Sequence, residues 1–205
     1  MITVVICSYK YGHLAAHAID SVISQTLIPS KILFVDDGVG DCKHLPPLYP
    51  EVEYILRQKN LGTVDNFQDM LQRVDTEYVM FLGADNWLRQ DTLATFADAE
   101  IADITTYDII VTGEFANEIT RRHPQEVTPH PDGYYWDRSS GHHGSMIYNT
   151  ELAKSVGGYC DGHGKRTSED ATLYQRMLKA KATRIHIPEA FLYYRRHRDN
   201  FNQVT

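Results

Sequence analysis

An aspartate and an asparagine follow an apolar run near the middle of the chain. Residues 78–82 (YVMFL) have the composition of a buried strand, which stops at Gly83 just before Asp85 and Asn86. A carboxylate at the end of a strand can hold a divalent cation and, through it, a phosphate. The alternative is a turn, because Asp and Asn after Gly often reverse the chain.

Two further carboxylates, Asp36 and Asp37, follow the apolar run at residues 31–35. A carboxylate in this place can accept a hydrogen bond from the ring N–H of uracil or thymine, or from a ribose hydroxyl. The sequence Asp-Asp-Gly can also be a simple turn. We favour ligand binding, because ligands of open α/β sheets bind beyond the carboxyl ends of the strands.

A third acidic site, Glu169 and Asp170, opens a predicted helix near the carboxyl terminus. The helix dipole favours a charged carboxylate in the first turn, and such a group can act as a general base toward a hydroxyl. The same residues suit an amino-terminal cap, with Thr167 or Ser168 accepting hydrogen bonds from the first turn. The residues alone leave both roles open.

A basic cluster, Arg195, Arg196, His197 and Arg198, lies near the end of an otherwise acidic chain. The imidazole can bind a metal and the guanidinium groups can bind a diphosphate, although terminal charge clusters are often only solvated. The chain lacks both the HExxH spacing of zinc hydrolases and the GxSxG of serine hydrolases.

A strand, helix, strand unit at the amino terminus is expected to position the first of these residues. Residues 2–7 form a β-branched run, and the helix after Gly12 repeats apolar residues at spacings of three and four. The next strand follows at 31–35, so the two strands are parallel with a right-handed crossover. Ser8 and Tyr9 therefore lie at the same sheet edge as the paired aspartates.

The remaining pattern alternates strands and helices, which predicts one α/β domain. We expect a mostly parallel central sheet flanked by helices, with a small antiparallel element. An irregular segment at 116–140, with the aromatic residues Tyr134, Tyr135 and Trp136, is read as a flap or as part of the acceptor surface. Further strands are predicted at 52–56, 107–115, 144–148, 184–187 and 190–194, and helices at 63–73, 90–101, 150–156 and from about 167.

Composition narrows the possible partners and location. A chain of 205 residues with 42% apolar content can bury one good core. The net charge of -7 argues against a nucleic-acid partner, which would require a basic surface. Three widely spaced cysteines without a CxxC motif suggest reduced thiols, and no run approaches the roughly twenty apolar residues of a membrane span. We therefore expect a cytoplasmic protein with no transmembrane segment.

Seven motifs in order resemble family 2 glycosyltransferases of the A-type (GT-A), Rossmann-like fold. They are TVVICSYKYG, FVDDG, NLGTVDNF, YVMFLGADNWL, GGY, SEDATLYQRML and LYYRRH, and together they cover nearly the whole chain. The resemblance implies transfer of a sugar from a nucleotide-diphosphate sugar, most simply a UDP-sugar, to a hydroxyl of a glycan or other acceptor. It also implies inversion at the anomeric carbon and a divalent cation, Mn²⁺ or Mg²⁺.

On the donor side, the resemblance assigns roles to individual residues. Asp36 or Asp37 matches the carboxylate that binds uracil, and Ser8 and Tyr9 match the segment along the nucleotide. The remaining donor-binding positions implied are Asn60, Gly62, Ala84 and Arg195. Asn60 and Gly62 can also form a capping turn before the helix at 63–73.

At the reacting centre, Asp85 matches the metal-binding last residue of the family's D-x-D motif. His197, with the neighbouring Arg195, matches the element that closes over metal and diphosphate. Asp170 matches the catalytic base, and Glu169 is expected to shape the acceptor pocket. The segment 134–143 is a candidate lid that excludes water.

The sequence departs from the family pattern at Gly83, which occupies the first position of D-x-D. One contact to ribose or metal is therefore missing, and Asn86 is a candidate neutral oxygen donor in its place. The motifs run close to the end of the sequence, which is typical of a small enzyme or of a domain excised from a longer chain.

Two other functions compete with sugar transfer. A non-catalytic nucleotide-sugar or glycan-binding module is suggested by Gly83, and UDP binding that is indifferent to Mn²⁺ would favour it. A nucleotidyltransferase is a second alternative, but it calls for a glycine-rich basic loop after the first strand, where CSYKYG supplies one lysine.

Overall fold

Parallel strands form the centre of the fold in the computed structural model, which describes residues 1–99, 101–139, 145–159 and 169–200. The strands are β1 (Ile2–Ser8), β2 (Lys31–Asp36), β3 (Glu53–Leu56), β4 (Tyr78–Gly83), β5 (Trp87–Leu88), β6 (Ile104–Thr112), β7 (Val127–His130), β8 (Gly133–Trp136), β9 (Met146–Asn149) and β10 (Arg184–Arg195). The helices are α1 (Ala15–Ile23), α2 (Thr63–Arg73), α3 (Thr92–Asp98), α4 (Glu118–Arg122), α5 (Thr150–Ser155) and α6 (Glu169–Lys179).

The strands pair into one sheet in the order β3-β2-β1-β4-β9-β6-β10-β5. The first four are mutually parallel, as are β6 and β10, whereas β9 runs antiparallel between β4 and β6. β7 and β8 form an antiparallel hairpin that pairs with β6 through β8. The predicted α/β fold, with a parallel centre and a small antiparallel element, is confirmed.

The two faces of the sheet are covered by different helices, because alternate residues of a strand point to opposite faces. In β1, Val4 and Ile6 belong to the same buried cluster as Ala18 of α1, and Val5 belongs to the opposite cluster with Leu71 of α2. Each of these side chains is fully buried. Both faces are thus apolar, which explains why β1 reads as a continuous hydrophobic run rather than an alternating one.

We expect Leu71→Ala to lower the free energy of unfolding by roughly 2–5 kcal/mol, the usual cost of the cavity that such a truncation leaves. Leu71 is fully buried between α2 and the sheet. Leu48→Ala is the matched control, because Leu48 is 64% exposed and its truncation should cost no more than about 0.5 kcal/mol. Urea unfolding of the two variants measures the difference, and equal losses would contradict this packing.

The longest described helices, α2 and α6, have 11 residues each. A membrane-spanning helix needs about twenty. Among the described residues, none of the helices combines the length and the apolar character needed to cross a bilayer.

Two secondary-structure predictions were wrong. The segment 116–140 contains α4, β7 and β8 in addition to loops. Its short strands carry little local signal, because β8 pairs with the distant β6 and β7 pairs with β8. The strands predicted at 184–187 and 190–194 are one strand, β10, with register shifts between Ile187 and Leu192. A bulge of this kind lets one strand continue past Pro188, which cannot donate to the ladder.

Candidate active site

A cavity of about 730 Å³ opens at the carboxyl ends of β1, β2 and β4. Its wall includes Ser8 at the end of β1, Asp37 just beyond β2, and Gly83 and Asp85 at the end of β4. Asp170 of α6 lines the same cavity. The cavity has the size of a small-molecule site and lies where α/β sheets bind their ligands.

Asp85 is held at the cavity edge by the segment that follows β10. Its Oδ2 accepts a hydrogen bond of 2.9 Å from Nδ2 of Asn200 and lies 3.2 Å from Nε2 of His197. The Oδ1 of Asn200 in turn accepts from the backbone N–H of His197 at 2.6 Å. The edge of the Tyr11 ring packs against the imidazole, with ring centroids 5.4 Å apart.

The Asp85 and His197 pair fits a divalent cation. Two adjacent ligands of an octahedral ion with bonds of about 2.1 Å lie roughly 3 Å apart. The 3.2 Å between Asp85 Oδ2 and His197 Nε2 is close to that spacing. One carboxylate and one imidazole suit Mn²⁺ better than Mg²⁺, because Mg²⁺ prefers oxygen ligands. Two protein ligands leave coordination positions for phosphate oxygens and water.

Two other groups of side chains could also hold a metal. Among the described residues, clusters of three potential ligands with donor atoms within 4.8 Å of one another occur at two places, Asp36 with Asp41 and Cys42, and Asp108 with Asp137 and His186. None of these six side chains is among the residues that line the cavity. Of the Asp85 and His197 pair, Asp85 lines the cavity, whereas His197 is not among the lining residues.

A side chain at position 83 would displace the two side chains beside it. A Cβ at this position would lie 2.7 Å from Oδ1 of Asp85 and 2.8 Å from Nδ2 of Asn86, both too close. Asn86 also accepts a 2.9 Å hydrogen bond at Oδ1 from the backbone N–H of Arg195, so it ties the end of β4 to the end of β10. The side chains of Asp85 and Asn86 occupy the space that an aspartate at position 83 would need.

Asp36 and Asp37 have different surroundings. The Asp36 carboxylate is fully buried and accepts hydrogen bonds from the backbone N–H groups of Val39, Gly40 and Cys42, so it shapes its own loop. Asp37 lines the cavity, whereas Asp36 is not among the lining residues.

The Asp37 carboxylate also organises the turn before α2. It accepts from the backbone N–H groups of Leu61 at 3.0 Å and Gly62 at 3.1 Å, and Arg57 Nε lies 3.5 Å from its Oδ1. Gly62 is the residue before α2 and has a φ of +83°, which glycine adopts without strain. Gly62 therefore has the capping role and also lines the cavity, beside Asn60.

Some of the other predicted donor-side residues line the cavity and others do not. Ser8 and Tyr9 line it; Ser8 is 2% exposed and accepts a hydrogen bond of 3.4 Å from Cys42 Sγ. Ala84 is fully buried behind the wall, and its backbone N–H donates to the carbonyl of Cys7. Asn66, whose role the sequence did not decide, is buried on the wall and accepts from Arg57.

The structure places Arg196, rather than Arg195, on the cavity wall. Arg195 stacks on Trp87, 4.8 Å from the ring centroid, and its guanidinium bonds His17 Nδ1 at 2.9 Å. Arg196 is 5% exposed and donates to Glu118 at 3.0 Å. Alternate residues along an extended chain face opposite sides, so neighbouring arginines separate in this way.

Asp170 shares the cavity wall with two buried tyrosines and a thiol. The hydroxyl groups of Tyr148 and Tyr159 lie 2.7 Å apart. Burial raises the pKa of both phenols well above the ordinary value, and the Asp170 carboxylate raises it further. Burial likewise raises the pKa of the Cys7 thiol, with smaller contributions from Asp37 and Asp170. These groups are neutral at physiological pH, so the wall beside Asp170 adds no charge of its own.

The cavity also contains residues that the sequence analysis did not assign to a site. The hairpin and helix next to β6 contribute Arg122, His123, Trp136 and Arg138 to its wall. Thr167 and Ser168, predicted as helix caps, and residues 140–143 of the predicted lid lie outside the described residues. The side chain of Glu169 is also outside them.

Known proteins resemble the chain in both sequence and fold. Glycosyltransferase GlyA of Streptococcus pneumoniae serotype 4 is 30% identical over 99 residues, which is 46% of this chain and 14% of GlyA. The crystal structure of S. aureus TarS has a TM-score of 0.72 at 16% identity, covering 95% of this chain and 36% of TarS. TarS 1-349 in complex with UDP-GlcNAc gives a TM-score of 0.69 at 16% identity, covering 97% of this chain and 59% of that one.

The structural similarity to TarS establishes the fold, and neither relative establishes the whole protein's activity. The chain spans 14% of GlyA and 36–60% of the TarS structures. The sequence pattern of the family described as glycosyl transferase family 2 matches residues 3–157, about three quarters of the 205-residue chain. That range includes Asp37 and Asp85 but ends before Asp170 and His197. The chain belongs to glycosyl transferase family 2.

Proposed function

We propose that the protein transfers a sugar from a UDP-sugar to a hydroxyl group of a glycan or other acceptor, with inversion at the anomeric carbon. The observation that carries the proposal is that Asp85 and Asp170 line one cavity. Inverting transfer needs a cation at the leaving diphosphate and a base at the attacking hydroxyl, within the span of one sugar ring. Asp85 is the candidate cation ligand and Asp170 the candidate base, and both line this cavity.

The donor nucleotide lies along the ends of β1 and β2 in this proposal. Asp37 accepts the ring N–H of uracil, since a carboxylate has lone pairs beyond the two that Leu61 and Gly62 use. Ser8, Tyr9 and Asn60 line the adjoining wall. The fold similarity to TarS, whose crystal structures include complexes with UDP and UDP-GlcNAc, supports a UDP-linked donor.

Asp85 and His197 would hold the divalent cation, Mn²⁺ or Mg²⁺, which would supply positive charge where negative charge develops on the departing UDP. Three residues position these two ligands. Asn200 contacts both, and Tyr11 packs on the imidazole. Asn86 connects the end of β4 to the end of β10. Arg196, five per cent exposed on the same wall, is positioned near the donor by the same segment.

Asp170 removes the proton from the acceptor hydroxyl as its oxygen attacks the anomeric carbon. Attack from the face opposite the diphosphate forms the new glycosidic bond while the bond to UDP breaks, which inverts the configuration. Tyr148 and Tyr159 stay protonated beside Asp170 and exclude water from that side. Glu169 keeps its predicted role at the acceptor side. Residues 134–136 of the predicted lid belong to strand β8, and Trp136 lines the cavity.

We expect Gly83→Ala to weaken Mn²⁺-dependent UDP binding by about tenfold or more, because the new Cβ displaces the Asp85 carboxylate. Gly40→Ala is the control: its Cβ has room, 3.4 Å from Lys43, but its φ of +79° gives backbone strain. Calorimetry with UDP and Mn²⁺ compares the two. If both variants bind UDP equally well, Gly83 is not needed for the geometry of Asp85.

A screen of nucleotide-sugars for Mn²⁺-dependent release of UDP tests the proposed function. We expect at least one UDP-sugar to be hydrolysed slowly without acceptor, and the release to stop in EDTA. Calorimetry of UDP with and without Mn²⁺ accompanies the screen. UDP binding that is indifferent to Mn²⁺, with no release from any donor, would instead indicate a non-catalytic nucleotide-sugar-binding module.

A further inference from the structure

A buried arginine lies on the cavity wall without a counter-ion in contact. Arg138 is 3% exposed, and its guanidinium stacks on the Trp136 ring at 3.9 Å from the centroid. Within the described ranges, Glu126, Asp108 and Asp137 act on its guanidinium through space without a hydrogen bond, and its buried Nε has no hydrogen-bond acceptor. A buried cation with an unsatisfied donor costs folding free energy unless a ligand supplies an acceptor and a counter-charge.

The three carboxylates that act on Arg138 through space form their hydrogen bonds with other groups. Asp108 accepts from the Tyr135 hydroxyl and from the backbone N–H of Arg138. Glu126 accepts from Trp136 Nε1 at 3.0 Å, and Asp137 accepts from the backbone N–H of Ser139 at 2.7 Å. These acids hold the hairpin in place, so that the Arg138 side chain is fixed at the cavity.

The guanidinium remains charged despite its burial. Burial lowers the pKa of Arg138 to about 10, while Glu126, Asp108 and Asp137 oppose that change through space. At neutral pH the group is therefore a cation on the wall of the cavity. A guanidinium of this kind binds a phosphate or carboxylate through two parallel hydrogen bonds.

Further basic residues lie on the same wall. Arg122, in the last turn of α4, and His123, just after it, both line the cavity. The His123 ring packs on Trp136 with ring centroids 4.6 Å apart. The basic residues Arg122, His123 and Arg138 thus share one part of the cavity wall. Glu118 of α4 also lines the cavity, where it pairs with Arg196. The other acidic lining residues come from the ends of β2 and β4 and from the start of α6.

The basic wall lies on a different part of the sheet from the donor residues. Arg138 follows β8, which pairs with β6, and β9 separates β6 from β4 with its Asp85. The acidic groups that act on Arg138 electrostatically are Glu126, Asp108 and Asp137, and none of these is in the donor set. In the proposed function the UDP diphosphate lies near Asp85, so Arg138 is not needed to bind it.

We propose that Arg138 binds an anionic group of the acceptor, a phosphate or a carboxylate, and that Arg122 and His123 complete this subsite. The inference rests on the proposed function, because it treats the ligand opposite the donor as the sugar acceptor. It names the acceptor class: a hydroxyl compound that carries a negative charge close to the hydroxyl that is glycosylated.

The test titrates three small probes, glucose 6-phosphate, glucuronate and glucose, into the protein, with and without UDP and Mn²⁺. We expect one or both anions to bind at least tenfold more tightly than glucose. Arg138→Gln should abolish this preference, Arg138→Lys should retain part of it, and Arg122→Gln should reduce it. Arg121→Gln is the control, because Arg121 is exposed on the same helix and does not line the cavity.

A separate titration of UDP with Mn²⁺ identifies the source of the anion. The inference predicts an unchanged dissociation constant for UDP in Arg138→Gln. A tenfold weaker constant would overturn it and assign Arg138 to the donor diphosphate, and so would equal binding of glucose and the two anions. If Arg138→Gln does not fold, an unchanged anion preference in Arg122→Gln overturns the inference. Wild-type protein that binds anions selectively but not UDP would contradict the proposed function and leave this subsite standing.

Discussion

Replacing Asp170 by asparagine is expected to abolish sugar transfer while UDP binding survives. Asparagine has nearly the same shape as aspartate but cannot take a proton from the acceptor hydroxyl. Positioned general bases contribute about 10²–10⁴-fold to rate, so the variant should lose at least two orders of magnitude. The rate of UDP release in the presence of acceptor measures the loss, and calorimetry with UDP and Mn²⁺ measures binding.

The matched control for this substitution is Asp65→Asn. Asp65 also lies in the first turn of an 11-residue helix, but it is exposed and does not line the cavity. The control should keep full activity. If Asp170→Asn instead loses UDP binding and stability together with activity, Asp170 serves as a helix cap, as its place in the first turn of α6 allows.

Asp85→Asn is expected to remove Mn²⁺-dependent UDP binding and transfer together. A neutral amide binds a divalent cation much more weakly than a carboxylate, and the cation contributes several kcal/mol to stabilising the leaving group. At about 1.4 kcal/mol per tenfold, the rate should fall by roughly 10³-fold or more. His197→Ala should produce the same pattern with a smaller loss, because the charged carboxylate ligand remains.

Asp91→Asn is the control for this second prediction, since Asp91 is 51% exposed and pairs with Arg89 away from the cavity. Removal of the metal by EDTA should lower the activity of the wild-type protein to the level of Asp85→Asn and leave that variant unchanged. A variant that retains Mn²⁺-dependent activity would show that the metal is bound elsewhere.

Elements with strong local patterns could be predicted from the sequence. The helix α2 has the predicted bounds, Thr63–Arg73, because its apolar residues repeat at helical spacing. The first two strands differ from prediction by one residue each, since β-branched runs mark buried strands. The hairpin of β7 and β8 was missed, because four-residue strands carry little pattern and depend on pairing with β6.

Some residues of the candidate site could be predicted from the sequence and others could not. The positions of Ser8, Asp37 and Asp85 at the cavity follow from the rule that ligands bind at the carboxyl ends of parallel strands. Arg196 rather than Arg195 lines the cavity because of the path of the chain after β10. The alternation of side chains along an extended chain indicated that only one of these two neighbours could face the cavity. Arg138 belongs to no motif, and only the fold brings it to the cavity.

A crystal structure with Mn²⁺ and UDP, with anomalous data collected at the manganese edge, tests the central claim most directly. The account predicts one strong anomalous peak about 2.0–2.3 Å from both Asp85 Oδ2 and His197 Nε2, in contact with the diphosphate and within one sugar ring of Asp170. A peak at either of the other two candidate clusters, Asp36 with Asp41 and Cys42 or Asp108 with Asp137 and His186, would contradict it.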